Sequence, residues 1–115
     1  MFQFSELIFS FFTSSSTFTA VVGQRMYPVI APEDVQFPFA TYSLESQEGE
    51  SKDADLFRAT LFFWFQENQY NEALQFTDQM IELVKASQNI EFESSSLMWM
   101  EANNSYAGVI NIIKL

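Results

Sequence analysis

The stretch Leu56-Phe-Arg-Ala-Thr-Leu-Phe-Phe-Trp-Phe-Gln66 governs the reading of everything around it. Side chains of an extended segment alternate, so Leu61, Phe63 and Phe65 point one way while Phe62 and Trp64 point the other, and both faces are apolar. A strand of that kind lies at the centre of a sheet or beneath an interface. Just before it, Glu45 to Asp55 is the most polar part of the chain and reads as an exposed loop. Phe39 to Leu44, ahead of that loop, alternates well enough to form a strand. Further upstream, Met26 to Ile30 is extended in character, and Pro28, with no N–H to donate, confines it to a sheet edge or an irregular strand. Pro32 and Pro38 bracket the connection between these two segments.

Toward the N-terminus, Phe4, Leu7, Ile8, Phe11 and Phe12 share one face of a first helix. The hydroxyl cluster from Thr13 to Thr17 interrupts it, and one of those hydroxyls is suited to cap a second short helix through Val22, which Gly23 ends. Toward the C-terminus, a longer helix runs from Gln69 to Ala86, with Tyr70, Ala73, Leu74, Thr77, Met80, Ile81 and Val84 on its apolar stripe and Asn68 as the expected cap. Ile90 to Glu93 alternates, Ser94 to Ser96 suggests a bulge, Leu97 to Met100 resumes a strand, and Asn103-Asn104 turns the chain into a β-branched closing strand from Tyr106 to Ile113. The order α, α, β, β, β, α, β, β predicts an α+β fold. A mainly antiparallel sheet of about four to five strands carries the long helix and the N-terminal helix packed on it, in a single domain spanning residues 1–115.

Composition narrows the function. The chain has 115 residues, 48% hydrophobic with 14 Phe, so it folds in spite of a formal charge of −10. Fifteen acidic side chains against five basic ones oppose any broad grip on phosphates, which argues against nucleic-acid binding as a primary activity. With no Cys and no His, there are no disulfides, no thiolate or imidazole zinc sites, no Cys nucleophile and no Ser-His-Asp triad. The apolar start from Met1 to Phe12 has no Lys or Arg before it and holds Glu6, which argues against a secretion signal, and it is too short to cross about 30 Å of hydrocarbon.

Carboxylates are the only plentiful reactive groups. Glu48, Glu50, Asp53 and Asp55 lie in the polar loop, where a solvated charge run is a better reading than a catalytic dyad, and the loop lacks the spacing of a calcium-binding loop. Three glycines cannot form a phosphate cradle. No cofactor, metal or enzymatic activity is expected. The run Phe62 to Phe65 has no basic groove beside it for base stacking and reads as packing. What stands out is apolar surplus: two apolar strand faces, an apolar first helix, and Trp99 between Met98 and Met100. In so small a domain that surplus implies a protein interface.

The segment Val21-Val-Gly-Gln-Arg-Met-Tyr-Pro28, followed by Ala31-Pro32 and Pro38-Phe-Ala-Thr-Tyr42, resembles the tail-completion (tail terminator, tail-to-head joining) proteins of long-tailed bacteriophages. The Arg-led apolar strand from Arg58 to Phe65, a long helix and a closing hairpin extend the resemblance over nearly the whole chain. It implies a homo-hexameric ring that caps the head-proximal end of the tail tube, stops tube polymerisation and receives the head-completion, or stopper, protein. DNA would pass through the lumen without specific binding, and an acidic wall would keep phosphates from sticking. The protein would sit in the virion, assembled in the bacterial cytoplasm, with no membrane contact. Within the match, Gly23 and Pro28 serve the backbone, while Arg25 either pairs with a carboxylate of its own or a neighbouring subunit or is a solvated residue beside a turn. Candidate interface residues are Arg25, Tyr27, Glu48, Glu50, Asp53, Asp55, Phe62 and Trp64, with docking assigned to the loop at 45–55. The same acidic composition also fits a different class, a DNA-mimicking inhibitor that occupies the basic cleft of an enzyme.

Overall fold

A computed structural model describes residues 1–47 and 56–115. Helix α1 (Phe2–Thr13) turns Phe4, Ile8 and Phe12 fully inward, with Leu7 and Phe11 packed beside them, as their spacing predicts. The hydroxyls of Thr13 and Ser14 donate back to the Phe9 and Phe11 carbonyls at its end. Ser15 then caps α2 (Ser16–Val22), its hydroxyl accepting from the Phe18 N–H at 3.4 Å. Gly23, at φ 65° and ψ −131°, takes a positive-φ conformation open to glycine that lets the chain leave the helix.

The strands are β1 (Met26–Pro28), β2 (Phe39–Gln47), β3 (Leu56–Gln66), β4 (Ile90–Met100) and β5 (Ser105–Lys114), with α3 (Tyr70–Lys85) between β3 and β4. They form one five-stranded sheet in the order β1-β2-β3-β5-β4. Every neighbouring pair is antiparallel except β1 and β2, which run parallel with Met26 opposite Ala40. The fold is therefore α+β with a mainly antiparallel sheet, and β3 is central, as its two apolar faces require. Pro28 lies in the edge strand β1, where its missing donor is harmless.

Ala59, Leu61, Phe63 and Phe65 of β3 face the helices and are all buried. Phe63 is where the helices converge: the rings of Phe12 from α1, Phe18 from α2 and Phe76 from α3 lie 6.0, 6.4 and 5.3 Å from its own. Gly108 of β5 pairs directly with Phe63. Its bare backbone lets α3 approach, with Thr77 above it and the Thr77 hydroxyl donating to the Ala73 carbonyl at 2.7 Å. On the same face, the Ser5 and Tyr42 hydroxyls meet at 2.9 Å and pin α1 to β2.

Four expectations change. β2 continues through Glu45–Gln47, which pair with Arg58–Leu56, so these three residues belong to a strand and not to the expected loop; opposite charges at Glu45 and Arg58 favour that register. The remainder of the expected loop, including Glu48, Glu50, Asp53 and Asp55, lies outside the described residues. Helix α3 starts one residue later than expected, at Tyr70, with Gln69 at the N-cap position in place of Asn68, and the Gln69 side chain accepts from the Gln66 N–H at 3.0 Å. Its buried stripe is Ala73, Phe76, Thr77, Met80 and Val84, leaving Tyr70 and Leu74 exposed. The helix is turned so that the Phe76 ring is buried among Phe18, Phe63 and Phe65, where a ring removes more apolar area than an aliphatic side chain can. Finally, β4 is unbroken through the three serines, and the register shift falls between Phe92 and Ser94, making Glu93 the extra residue.

A methyl group added at Gly108 would collide with the Thr77 hydroxyl oxygen. Gly108→Ala is expected to destabilise the fold by about 1–3 kcal/mol in urea titrations. Thr77→Ala in the same chain should restore part of that loss, because the closest atom is then gone.

Candidate functional site

Among the described residues, no α-helix packs on the second face of the sheet. On it β3 presents Arg58, Thr60, Phe62 and Trp64, flanked by Phe39 and Thr41 of β2 and by Ala107 and Val109 of β5. Alternation alone puts Phe62 and Trp64 here, because Leu61, Phe63 and Phe65 are committed to the core.

An aromatic ladder crosses this face. Phe37 and Phe39 lie 5.1 Å apart, Phe39 stacks on Trp64 at 6.1 Å, and Trp64 stacks on Phe62 at 6.0 Å, each of the last two pairs tilted by 18°. Trp64 donates its indole N–H to the Thr41 hydroxyl at 3.0 Å, which fixes the ring plane. The loop at 29–38 folds over the same end, and together with Phe39 and Trp64 it lines an open pocket of about 310 Å³. The other end of the face is polar. Thr60 donates to Asn111 at 2.8 Å, and Asn111 donates to Ser94 at 3.0 Å, in a row across three strands. Arg58 reaches Glu93 at 3.3 Å and Gln47 at 3.4 Å, exposed contacts that add little to stability. One face thus holds an aromatic half suited to burial against another protein and a hydrogen-bonded half suited to water.

Phe62 and Trp64 are half-buried, and Tyr27, also half-buried, pairs with Thr41 at the edge of the same region. These three sequence candidates come together. Arg25, expected either to pair with a carboxylate of its own or a neighbouring subunit or to lie solvated beside a turn, donates its guanidinium within the subunit to the Pro38 carbonyl at 3.0 Å and to the Val21 carbonyl at 3.3 Å. A cation at the carbonyl end of α2 satisfies acceptors that the helix leaves open, so Arg25 ties α2 to the start of β2. The four acidic candidates from Glu48 to Asp55 lie outside the described residues. Phe37 and Phe39 were not candidates, although they extend the ladder. The one available signal was the parity of Phe39, which places it with Trp64 only after the β2–β3 register is known. Among the described residues, no three carboxylates gather in a way that could hold a metal ion, and no helix is long and apolar enough to cross a membrane.

No family model matches the chain, and no curated protein matches it. Its fold does match a solved structure. The chain aligns with one from the virion of a native gene transfer agent particle at a TM-score of 0.72, over 93% of this chain and 89% of that one, with 9% sequence identity. A domain of this fold is therefore built into that virion. At such low identity the likeness is one of fold.

Because Trp64 is half-buried, truncating it should cost less than the full burial of an aromatic ring would imply. Trp64→Ala is expected to lower stability by about 1–3 kcal/mol, below the range for buried aromatics, and Trp64→Phe by about 1 kcal/mol through loss of the Thr41 hydrogen bond. Urea midpoints of the two variants check the order.

Proposed function

We propose that this protein is a structural component of a phage-like virion and acts as a tail terminator. Its subunits close into a hexameric ring at the head-proximal end of the tail tube, stop tube growth and receive the head-completion, or stopper, protein. The observation that carries this reading is the shared fold with a virion chain over nearly the full length of both. The ordered Gly-Gln-Arg-Met-Tyr-Pro, Ala-Pro and Pro-Phe motifs support the finer assignment, and the aromatic half-face supplies apolar area that a ring or its neighbours can cover. No catalytic step is assigned; the protein works by geometry. Genomic DNA passes through the opening, and a chain of net charge −10 offers phosphates little to hold. The polar segment between β2 and β3 is the docking element toward tube or stopper.

Native mass spectrometry or light scattering tests the ring: about six chains per particle are expected. A stable monomer that competes with DNA for a basic enzyme would instead favour the DNA-mimic reading. Like-charged subunits repel, so raising the salt from about 0.01 M to 0.15 M, which shortens the screening length from about 30 to 8 Å, should lower the concentration at which rings form. Replacing Glu48, Glu50, Asp53 and Asp55 together by Ser should leave melting unchanged while altering capture by tube or stopper protein.

A further inference from the structure

The open pocket beside the aromatic ladder is lined by Phe37, Phe39 and Trp64 on one side and by Val29, Ile30 and Val35 on the other. Two turns hold the aliphatic side in place. Val29 has φ 63°, a region a β-branched residue rarely enters. The Ile30 N–H donates to the Pro28 carbonyl at 2.7 Å, closing a γ-turn of the rare positive-φ hand around Val29, while the Val29 N–H donates to the Tyr42 carbonyl at 2.8 Å. Val29 and Ile30 are left 76 and 80% exposed. The next turn closes with the Val35 N–H on the Pro32 carbonyl at 3.2 Å and sets the exposed acids Glu33 and Asp34 at its two central positions. Glu33 also lines the pocket and is the only charged residue to do so. Among the described residues the one ion pair is Arg58 with Glu93, and Arg25 is held by two backbone carbonyls, so no cation of the described chain serves Glu33.

We infer that this pocket receives an arginine side chain presented by a partner protein, with its methylene stem on Val29 and Ile30 and its guanidinium between the aromatic rings and Glu33. Charge complementarity selects that occupant. An acidic or phosphorylated group meets a carboxylate of its own sign at the entrance, and a purely apolar segment would strip water from Glu33 without replacing its hydrogen bonds. Arginine satisfies both halves of the lining: its planar head stacks on an indole and forks onto a carboxylate, and it is less strongly hydrated than lysine. The Thr41 hydrogen bond already fixes the Trp64 ring plane, so the stacking surface is formed in advance. A volume of about 310 Å³ lies at the low end for pockets that bury a ligand and suits one long side chain. At longer range, a net charge of −10 draws basic partners toward the chain. The inference does not depend on the ring reading, and each can fail without the other.

Trp64 and Trp99 are the two indoles of the chain, so Trp99→Phe leaves Trp64 as the reporter. The probe is the capped peptide acetyl-Leu-Arg-Leu-amide, titrated at low salt and followed by Trp64 fluorescence, beside the same peptide with neutral citrulline in place of arginine. The arginine peptide should saturate the signal, bind about tenfold more tightly than the citrulline peptide and weaken as salt is raised. Glu33→Gln should weaken it about fivefold with unchanged melting. Glu82→Gln removes the same charge from α3, on the other face of the sheet, and should have little effect. Equal binding of the two peptides would show that apolar contact alone governs the pocket, and equal losses in the two variants would assign binding to overall charge; either overturns the inference. No change in Trp64 emission at any attainable peptide concentration also overturns it. A Trp64 signal that responds instead to concentrating the chain without peptide would make a second copy the occupant and overturn it.

Discussion

The packing of three helices on the single ring of Phe63 is the constraint from which the rest of the arrangement follows. Phe12, Phe18 and Phe76 come from three separate helices and reach that ring from different directions. They can do so only if all three helices lie on one side of the sheet. Gly108 completes the arrangement, since a side chain opposite Phe63 would hold α3 away from the strands. Close-packed interiors tolerate few such gaps, so the position of α3 is set by the absence of a single carbon atom.

Placing α1, α2 and α3 on one side leaves the other face to manage on its own among the described residues. Its aromatic half covers itself in part through the Phe37–Phe39–Trp64–Phe62 ladder and the loop at 29–38. Its polar half satisfies its side chains with the Thr60–Asn111–Ser94 row. A sheet face of this mixed kind is stable in water and still gains from contact with another protein, which is the property an assembly subunit needs. The fold is shared with a chain of a virion.

Arg25 and Trp64 illustrate how context assigns a role that residue type leaves open. In an acidic chain an arginine has many possible carboxylate partners, yet Arg25 bonds two carbonyls because α2 ends beside it and β2 begins within reach. Trp64 belongs to a strand with two apolar faces, and the helices take the face it does not occupy. Its half-exposure is a consequence of where Phe63 points.

Local periodicity was enough to determine the two amphipathic helices and the α+β class, and it narrowed β3 to a central strand or one beneath an interface and Pro28 to a sheet edge or an irregular strand, because alternation and helical spacing are properties of neighbouring residues. The apolar surplus of the strand from Leu56 to Gln66 likewise marked Phe62 and Trp64 as interface candidates. Tertiary structure alone decided which residues meet across strands and which helix face turns inward. The parallel pairing of β1 with β2, the rotation of α3 toward Phe76, the bulge at Glu93 and the meeting of Phe39 with Trp64 all depend on register between distant segments. Register is set by how whole faces pack, and a one-residue slip reverses every side chain, so no short stretch of sequence contains it.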